Sequence, residues 1–212
     1  MPGHRALSPV DVRGSATIQP LPFEGDDPAL VRGILAGHPG AVATLYRRYA
    51  AHVRNILVRI LGIDQELRDI QHDAFVRALQ SIASLRDTGA LKAWLTGVAV
   101  FTAKTWIQRR QRNRWLRFLP DEELPEREAP LVPGETREAV HATYRALAKL
   151  PADERVAFSL RFIDGMEIAD LAAACDVSVS TIKRRLVKAE RHFREAARKY
   201  PVLAEWLAGE AK

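Results

Sequence analysis

The segment Met166–Leu186, MEIADLAAACDVSVSTIKRRL, constrains the fold more than any other, because its apolar residues fit two short helices meeting at a tight turn. Ala172 falls where crossing helices must approach closely. Asp176 falls in the turn, where a short polar side chain tolerates an unusual backbone angle, and Val177 and Ile182 close a small core. This is a helix-turn-helix pattern, which presents its second helix to a DNA groove. In that helix Ile182, Leu186, Ala189 and Phe193 form the buried stripe, so Thr181, Arg184, Lys188 and Arg191 point outward. Ser178 is placed to cap the helix, Ser180 and Thr181 to donate to phosphate, and Lys183, Arg184 and Lys188 to reach base edges or backbone. A merely solvated basic face is the competing reading of the same cations.

The rest of the chain reads as helices, and no strand-like alternation or internal repeat competes. Residues 1–25 contain four prolines, three glycines and no sustained periodicity, which predicts a mobile extension with order beginning near Asp26. Leu30, Val31, Ile34 and Leu35 suit a short helix. After the breaker Gly37-His38-Pro39-Gly40, the series Val42, Leu45, Tyr46, Tyr49, Val53, Ile56, Leu57 and Ile60 suits a long one. Beyond Gly62 and Asp64, Leu67, Ile70, Ala74, Phe75, Ala78, Leu79 and Ile82 share one side of a further helix. Its opposite side carries Asp69, His72 and Asp73 with Val76 and Gln80, an acidic stripe with one apolar residue that suits either a basic partner or plain solvation.

A loop at Ser84–Gly89 leads into a helix from about Ala90 to Phe118, through Leu91, Trp94, Leu95, Val98 and Thr102, with Trp94 read as core. Its far end has six cations (Lys104, Arg109, Arg110, Arg112, Arg114 and Arg117) and no acid, interleaved with Trp106 and Trp115. Such a segment attracts phosphates, and arginine beside aromatic rings suits unstacked bases; the competing reading is a solvated helix end with Trp106 in the core, and for Trp106 the core reading is favoured. Pro120–Glu138 then holds four prolines and seven acidic residues against two arginines, which predicts an extended linker that keeps two cores apart. A second domain follows, with a helix around Asp153–Ile163 ended by Asp164-Gly165 and then the helix-turn-helix. The expected architecture is all-α: residues 1–25 an extension, 26–118 a first domain, 119–138 a flexible acidic linker, 139–200 a second domain and 201–212 a tail. In the tail, Val202, Leu203, Trp206 and Leu207 fall at helical spacing and are expected to pack back on the second domain.

The function classes narrow further. A net charge of +6 favours a polyanionic partner. A single cysteine, Cys175, supports neither a disulfide framework nor a zinc site, and beside the turn it reads as a small buried residue, with redox sensing as the alternative. There is no secretory h-region or bilayer-length apolar run, so neither export nor membrane insertion is expected. With no phosphate-cradling glycine loop and no nucleophile with an evident base, we expect no enzyme activity, no cofactor and no metal.

Taken in order, the motifs DIQHDAF (Asp69–Phe75), WLTGVA (Trp94–Ala99), LPADERVAF (Leu150–Phe158) and the helix-turn-helix resemble a sigma-70 family RNA polymerase sigma factor of the extracytoplasmic-function (ECF) type. The likeness covers about Asp26–Arg198, with Leu30–Gln111 similar to region 2 and Ala139–Arg198 to region 4. It implies a bacterial, cytoplasmic subunit that binds core RNA polymerase and directs transcription initiation. Asp69, His72, Asp73 and Val76 would dock on the clamp helices of the β′ subunit, and the second domain would meet the β flap. The helix-turn-helix, through Ser178, Ser180, Thr181, Lys183, Arg184 and Lys188, would read the −35 duplex. The Ser84–Gly89 loop with Arg86 and Asp87 would hold a flipped base of the −10 element, while Lys104, Arg109, Arg110 and Arg112 grip flanking DNA.

The resemblance also implies an anti-sigma partner covering both DNA-binding domains. The sequence departs from the family pattern at His72 (usually glutamine), at Phe101 and Thr105 (usually asparagine, then aspartate or asparagine), at Asp176 and Ser180 (usually glycine) and at Arg184 (usually serine). Arginine at 184 predicts a guanine contact in the −35 sequence. The alternatives are a stand-alone helix-turn-helix regulator, for which the Asp69–Asp73 face is dispensable, a DNA-processing enzyme, and a protein-interaction adaptor.

Overall fold

Local capping explains where the helices begin. In the computed structural model, which describes residues 23–117 and 134–203, α1 (Asp27–Leu35) starts where the Asp26 carboxylate accepts the Ala29 N–H at 2.9 Å. The breaker ahead of the second helix is shorter than its composition suggests. His38 caps α2 (Pro39–Leu61) through Nδ1, which accepts the Gly40 N–H at 3.1 Å. Pro39 opens the helix, because its fixed φ suits the first helical position and its missing N–H has no partner to lose there. Gly62, at φ 78°, ends α2.

Helices α3 (Leu67–Ser81) and α4 (Leu91–Arg117) complete the first unit, joined by two short 3₁₀ turns at Ile82–Ser84 and Thr88–Ala90. Leu30, Leu45, Leu57, Ile60, Leu91 and Leu95 are fully buried among these four helices. Phe23 extends the packing three residues ahead of the expected start of order. It lies so close to Gly33 that a Cβ there would meet its ring at 2.5 Å.

In the second unit α5 (Gly134–Leu147) begins inside the stretch assigned to the linker, whose residues 119–133 lie outside the described residues, as do residues 1–22, 118 and 204–212. The single helix expected at Asp153–Ile163 is α6 (Ala152–Phe158) continued by a π-helical turn at Ser159–Ile163, closed by the Asp164 N–H on the Ser159 carbonyl at 3.0 Å. Gly165, at φ 80°, then turns the chain into α7 (Ile168–Ala174) and α8 (Val179–Ala197). Leu203 is buried with Ala142, Leu147, Leu150, Ala189 and Phe193, as the reading of the tail expects, whereas Trp206 and Leu207 lie outside the described residues.

One expectation fails. The two cores are not kept apart: Ala152, Val156, Ala157, Leu160, Leu171 and Ala172 of the second unit share one apolar cluster with Leu95, Ala99 and Ala103 of the first. The acidic, proline-rich composition of 119–138 places no constraint on the faces of α4, α6 and α7, whose apolar residues are buried against one another. All elements among the described residues are helical, and no helix among them is long and apolar enough to cross a membrane.

Candidate functional site

Three surfaces carry the residues singled out by sequence. The first is the outer face of α3. Leu67, Ile70, Ala74, Phe75 and Ala78 are buried, so helical periodicity turns Asp69, His72, Asp73, Val76 and Gln80 to solvent together. Val76, 37% exposed, is the apolar point of that stripe. Tyr46 adds to it: the sequence places this ring in the core rhythm of α2, yet it is 50% exposed and packs on Phe75 with centroids 4.8 Å apart.

The second surface is the helix-turn-helix. Asp176 takes a positive φ of 52°, and the Val177 N–H returns to the Ala172 carbonyl at 3.0 Å, which fixes the tight turn. Ser178 caps α8 by accepting the Thr181 N–H at 3.2 Å. Ile182, Leu186, Ala189 and Phe193 are buried, while Ser178, Ser180, Lys183, Arg184 and Lys188 are exposed and Thr181 is half-buried. Thr181 Oγ1 also receives the Arg184 guanidinium at 3.4 Å, which orders an otherwise free side chain on the outward face. Serine hydroxyls, helix N–H groups and cations therefore converge at the start of α8, an arrangement suited to a DNA backbone and the groove beside it.

The third surface runs from the 3₁₀ turns along α4, and here the cations divide. Arg86 and Asp87 are exposed, with the Asp87 carboxylate accepting the Gly89 N–H at 2.9 Å and so holding the loop in shape. Arg109 and Arg112 are exposed. Lys104 is paired with Asp153 at 2.8 Å, and Arg110 with Asp64 at 2.9 Å. The Arg110 guanidinium also lies 4.9 Å from the centre of the Trp106 ring, whose indole N–H donates to Glu66 at 2.8 Å. Trp106 is thus half-buried with its polar edge satisfied, between the two readings the sequence allowed. The side chains of Arg114, Trp115 and Arg117 lie outside the described residues. Phe101 is 57% exposed beneath the Arg77 guanidinium, 5.4 Å from its ring centre.

A groove of about 890 Å³ lies between the second and third surfaces, with Arg77, Arg86, Trp94 and Phe101 on one side and Cys175 and Arg185 on the other. Burial pushes the Cys175 thiol up to about 11, so at neutral pH it is a protonated, unreactive group. No group of His, Cys, Asp and Glu among the described residues could hold a metal ion.

Family models decide what these surfaces belong to. Sigma-70 region 2 matches residues 45–113, which include the α3 stripe and most of α4, and sigma-70 region 4 matches residues 141–193, which include the helix-turn-helix. The chain belongs to the sigma-70 family. It is an ECF-type sigma factor, a promoter-recognition subunit associated with RNA polymerase in transcription initiation.

Similar proteins include the RNA polymerase sigma-H factor of Pseudomonas aeruginosa, 26% identical over 193 residues that span 84% of this chain and 96% of that one. The ECF sigma-E factor of Haemophilus influenzae is 29% identical over 177 residues, 77% of this chain and 90% of that one. Among solved structures, CnrH in complex with the cytosolic domain of CnrY has a TM-score of 0.52 at 21% identity, covering 80% of this chain and 95% of that one. RpoE in complex with the anti-sigma factor NepR from Bartonella quintana has a TM-score of 0.54 at 20% identity, covering 73% and 94%.

In this sigma factor three residues that the sequence did not single out join the surfaces. Asp153 pairs with Lys104 of α4 and with Arg185 of α8, and Arg155 donates to a carbonyl at the end of α2. No local periodicity marks them, because Arg155 pairs with a carbonyl 95 residues away.

Proposed function

We infer that the exposed stripe Asp69, His72, Asp73 and Val76, extended by Tyr46, docks this sigma factor on the clamp helices of the polymerase β′ subunit, with the second unit meeting the β flap. Ser178, Ser180, Thr181, Lys183, Arg184 and Lys188 take the −35 duplex, the serines and threonine by phosphate and the cations by base edge and backbone. Arg86 and Asp87 frame the pocket for a flipped −10 base, and Lys104, Arg109, Arg110 and Arg112 hold the flanking strand. The subunit works in the cytoplasm and performs no chemistry of its own. The polymerase supplies nucleotidyl transfer, and this chain supplies binding energy that differs between promoter and bulk DNA. An anti-sigma partner belongs to the same reading, in keeping with a chain of similar fold solved in complex with the anti-sigma factor NepR.

The observation that carries this reading is the two-sidedness of α3. One face is core, while the other offers two carboxylates, an imidazole and a valine to solvent with no ion pair among the described residues. The test is transcription in vitro by purified bacterial core polymerase on a pool of randomised upstream DNA, with and without the full chain. Selective initiation that is lost with Asp73→Arg, while the variant's helical circular dichroism is kept, is the expected result. An Asp73→Arg chain that initiates as well as the wild type overturns the docking assignment.

A further inference from the structure

Phe101 is a large apolar side chain turned away from the core. On α4 the residues Leu95, Ala99, Ala103 and Ile107 are buried, so helical periodicity puts position 101 on the opposite side, where its ring is 57% exposed. Two other rings among the described residues are at least half exposed, and each is backed by a ring: Tyr46 lies 4.8 Å from Phe75 and Phe162 lies 4.7 Å from Phe158, between centroids. Phe101 has a cation instead. The guanidinium of Arg77, reaching over from α3, stands 5.4 Å from its ring centre.

Both side chains line the groove of about 890 Å³, together with Gln80 and with Ser84 and Arg86 of the loop. That volume falls within the roughly 300–1,000 Å³ of sites that take small molecules. Four cations (Arg77, Arg86, Lys104 and Arg185) line it against two carboxylates, Asp153 and Asp176, so its field favours an anion. Exposed Gln80 offers an amide, and the Ser84 hydroxyl, which gives its hydrogen to the Ser81 carbonyl at 2.7 Å, keeps its lone pairs for an incoming N–H. An open ring beside a cation, with polar groups at its rim, suits an unstacked nucleobase.

We propose that Phe101 and Arg77 form a second base site on the first unit, in which a base of the opened −10 strand, next to the one flipped at Arg86 and Asp87, stacks between the Phe101 ring and the Arg77 guanidinium. The proposal rests on the reading that the first unit takes single-stranded −10 DNA. At 5.4 Å the ring and the guanidinium stand wider apart than groups in direct contact. A base between them needs about 7 Å, twice the stacking distance in nucleic acid, which the flexible, half-buried Arg77 side chain reaches by a small rotation. Gln80 and Ser84 then meet the base edge. Because stacking responds to ring area, the site prefers either purine to either pyrimidine. Asparagine, the usual residue of the family pattern at this position, has no ring to stack on, so the preference belongs to this chain.

The experiment is competition binding by holoenzyme, assembled from core polymerase and the full chain, to fork DNA taken from the randomised pool with its non-template −10 strand unpaired. Each base of that strand is replaced in turn by an abasic site and by the other three bases. One position beside the flipped base should lose about fivefold or more in affinity when abasic, and there purines should bind roughly threefold tighter than pyrimidines. In Phe101→Leu holoenzyme, which keeps apolar bulk without a π face, both differences should vanish at that position and at no other. Arg77→Ala should reduce them, and Phe101→Trp should keep them.

Abasic penalties that are the same at every position in wild type and Phe101→Leu overturn the proposal, as do equal affinities for purines and pyrimidines at the position the ring covers; either result leaves the initiation role intact. A wild-type holoenzyme that does not distinguish the pool's fork DNA from scrambled sequence overturns the functional reading, and the base site with it. Should Phe101→Leu fail to fold by circular dichroism, Arg77→Ala and the wild-type abasic scan decide, because a penalty confined to the flipped base leaves no second site.

Discussion

Tyr144 lies against Gly62 so closely that a Cβ at the glycine would sit 2.9 Å from the ring's Cγ and Cδ1. The contact joins the end of α2 to α5, and the phenol completes it by donating to the Val58 carbonyl at 3.1 Å. Gly62 also has φ 78° and ψ −164°, a region open essentially to glycine alone. Gly62→Ala therefore combines backbone strain with a clash against a ring whose hydroxyl is anchored on the α2 backbone. Urea denaturation should show a loss of about 1–3 kcal/mol from the strain, with the clash adding to it. Because the clash involves the ring, Tyr144→Ala in the same chain should return part of the loss but not the backbone share.

His52 should make stability fall on acidification. Its Nε2 lies 2.8 Å from Thr96 Oγ1, whose own hydrogen goes to the Lys92 carbonyl at 3.1 Å, so the neutral ring is the donor. Burial, and next the Lys92 ammonium, hold its pKa below the ordinary 6.5. The unfolded chain thus takes up the proton first. The contribution is intact above 6.5 and is lost as the pH falls through the folded value. Denaturation midpoints measured from about pH 7.5 down to pH 5 should drop, and less steeply in His52→Gln, a neutral donor of similar reach. Equal slopes in both proteins would remove His52 as the cause.

Cys175 should resist thiol reagents in the native protein. With the thiol pushed up to about 11 by burial, the thiolate fraction near neutral pH is far below that of a free cysteine. Native labelling by iodoacetamide should be at least about tenfold slower than in denaturant. Native labelling as fast as denatured labelling would revive the redox-sensing alternative.

The cations should divide into readers and holders. Arg184, exposed at the start of α8, should on change to alanine cost about 1–3 kcal/mol against the selected −35 sequence and much less against scrambled duplex. Arg109→Ala and Arg112→Ala should instead weaken binding to any sequence and each lower the salt slope by about one. Binding isotherms of the holoenzyme at several salt concentrations separate the two patterns. A uniform, salt-dependent loss for Arg184→Ala would make it a backbone contact.

What the sequence determined about this protein is what repeats every few residues. The stripe on α3, the capped turn from Asp176 to Ser178 and the buried Ile182, Leu186, Ala189 and Phe193 all follow from helical periodicity and from side chains that bond their own neighbouring backbone. Those interactions span a few positions, and so they can be read from the order of residues. Only the tertiary structure decided which cations are already engaged and where the two cores meet. Lys104 and Arg109 are both cations on α4, yet Lys104 meets Asp153 across the seam while Arg109 faces water. Arg155 reads as one more charged residue in a helix until α6 is laid against the end of α2, 95 residues back along the chain. Burial and charge pairing at that range depend on how helices pack in space, and no local pattern carries that information.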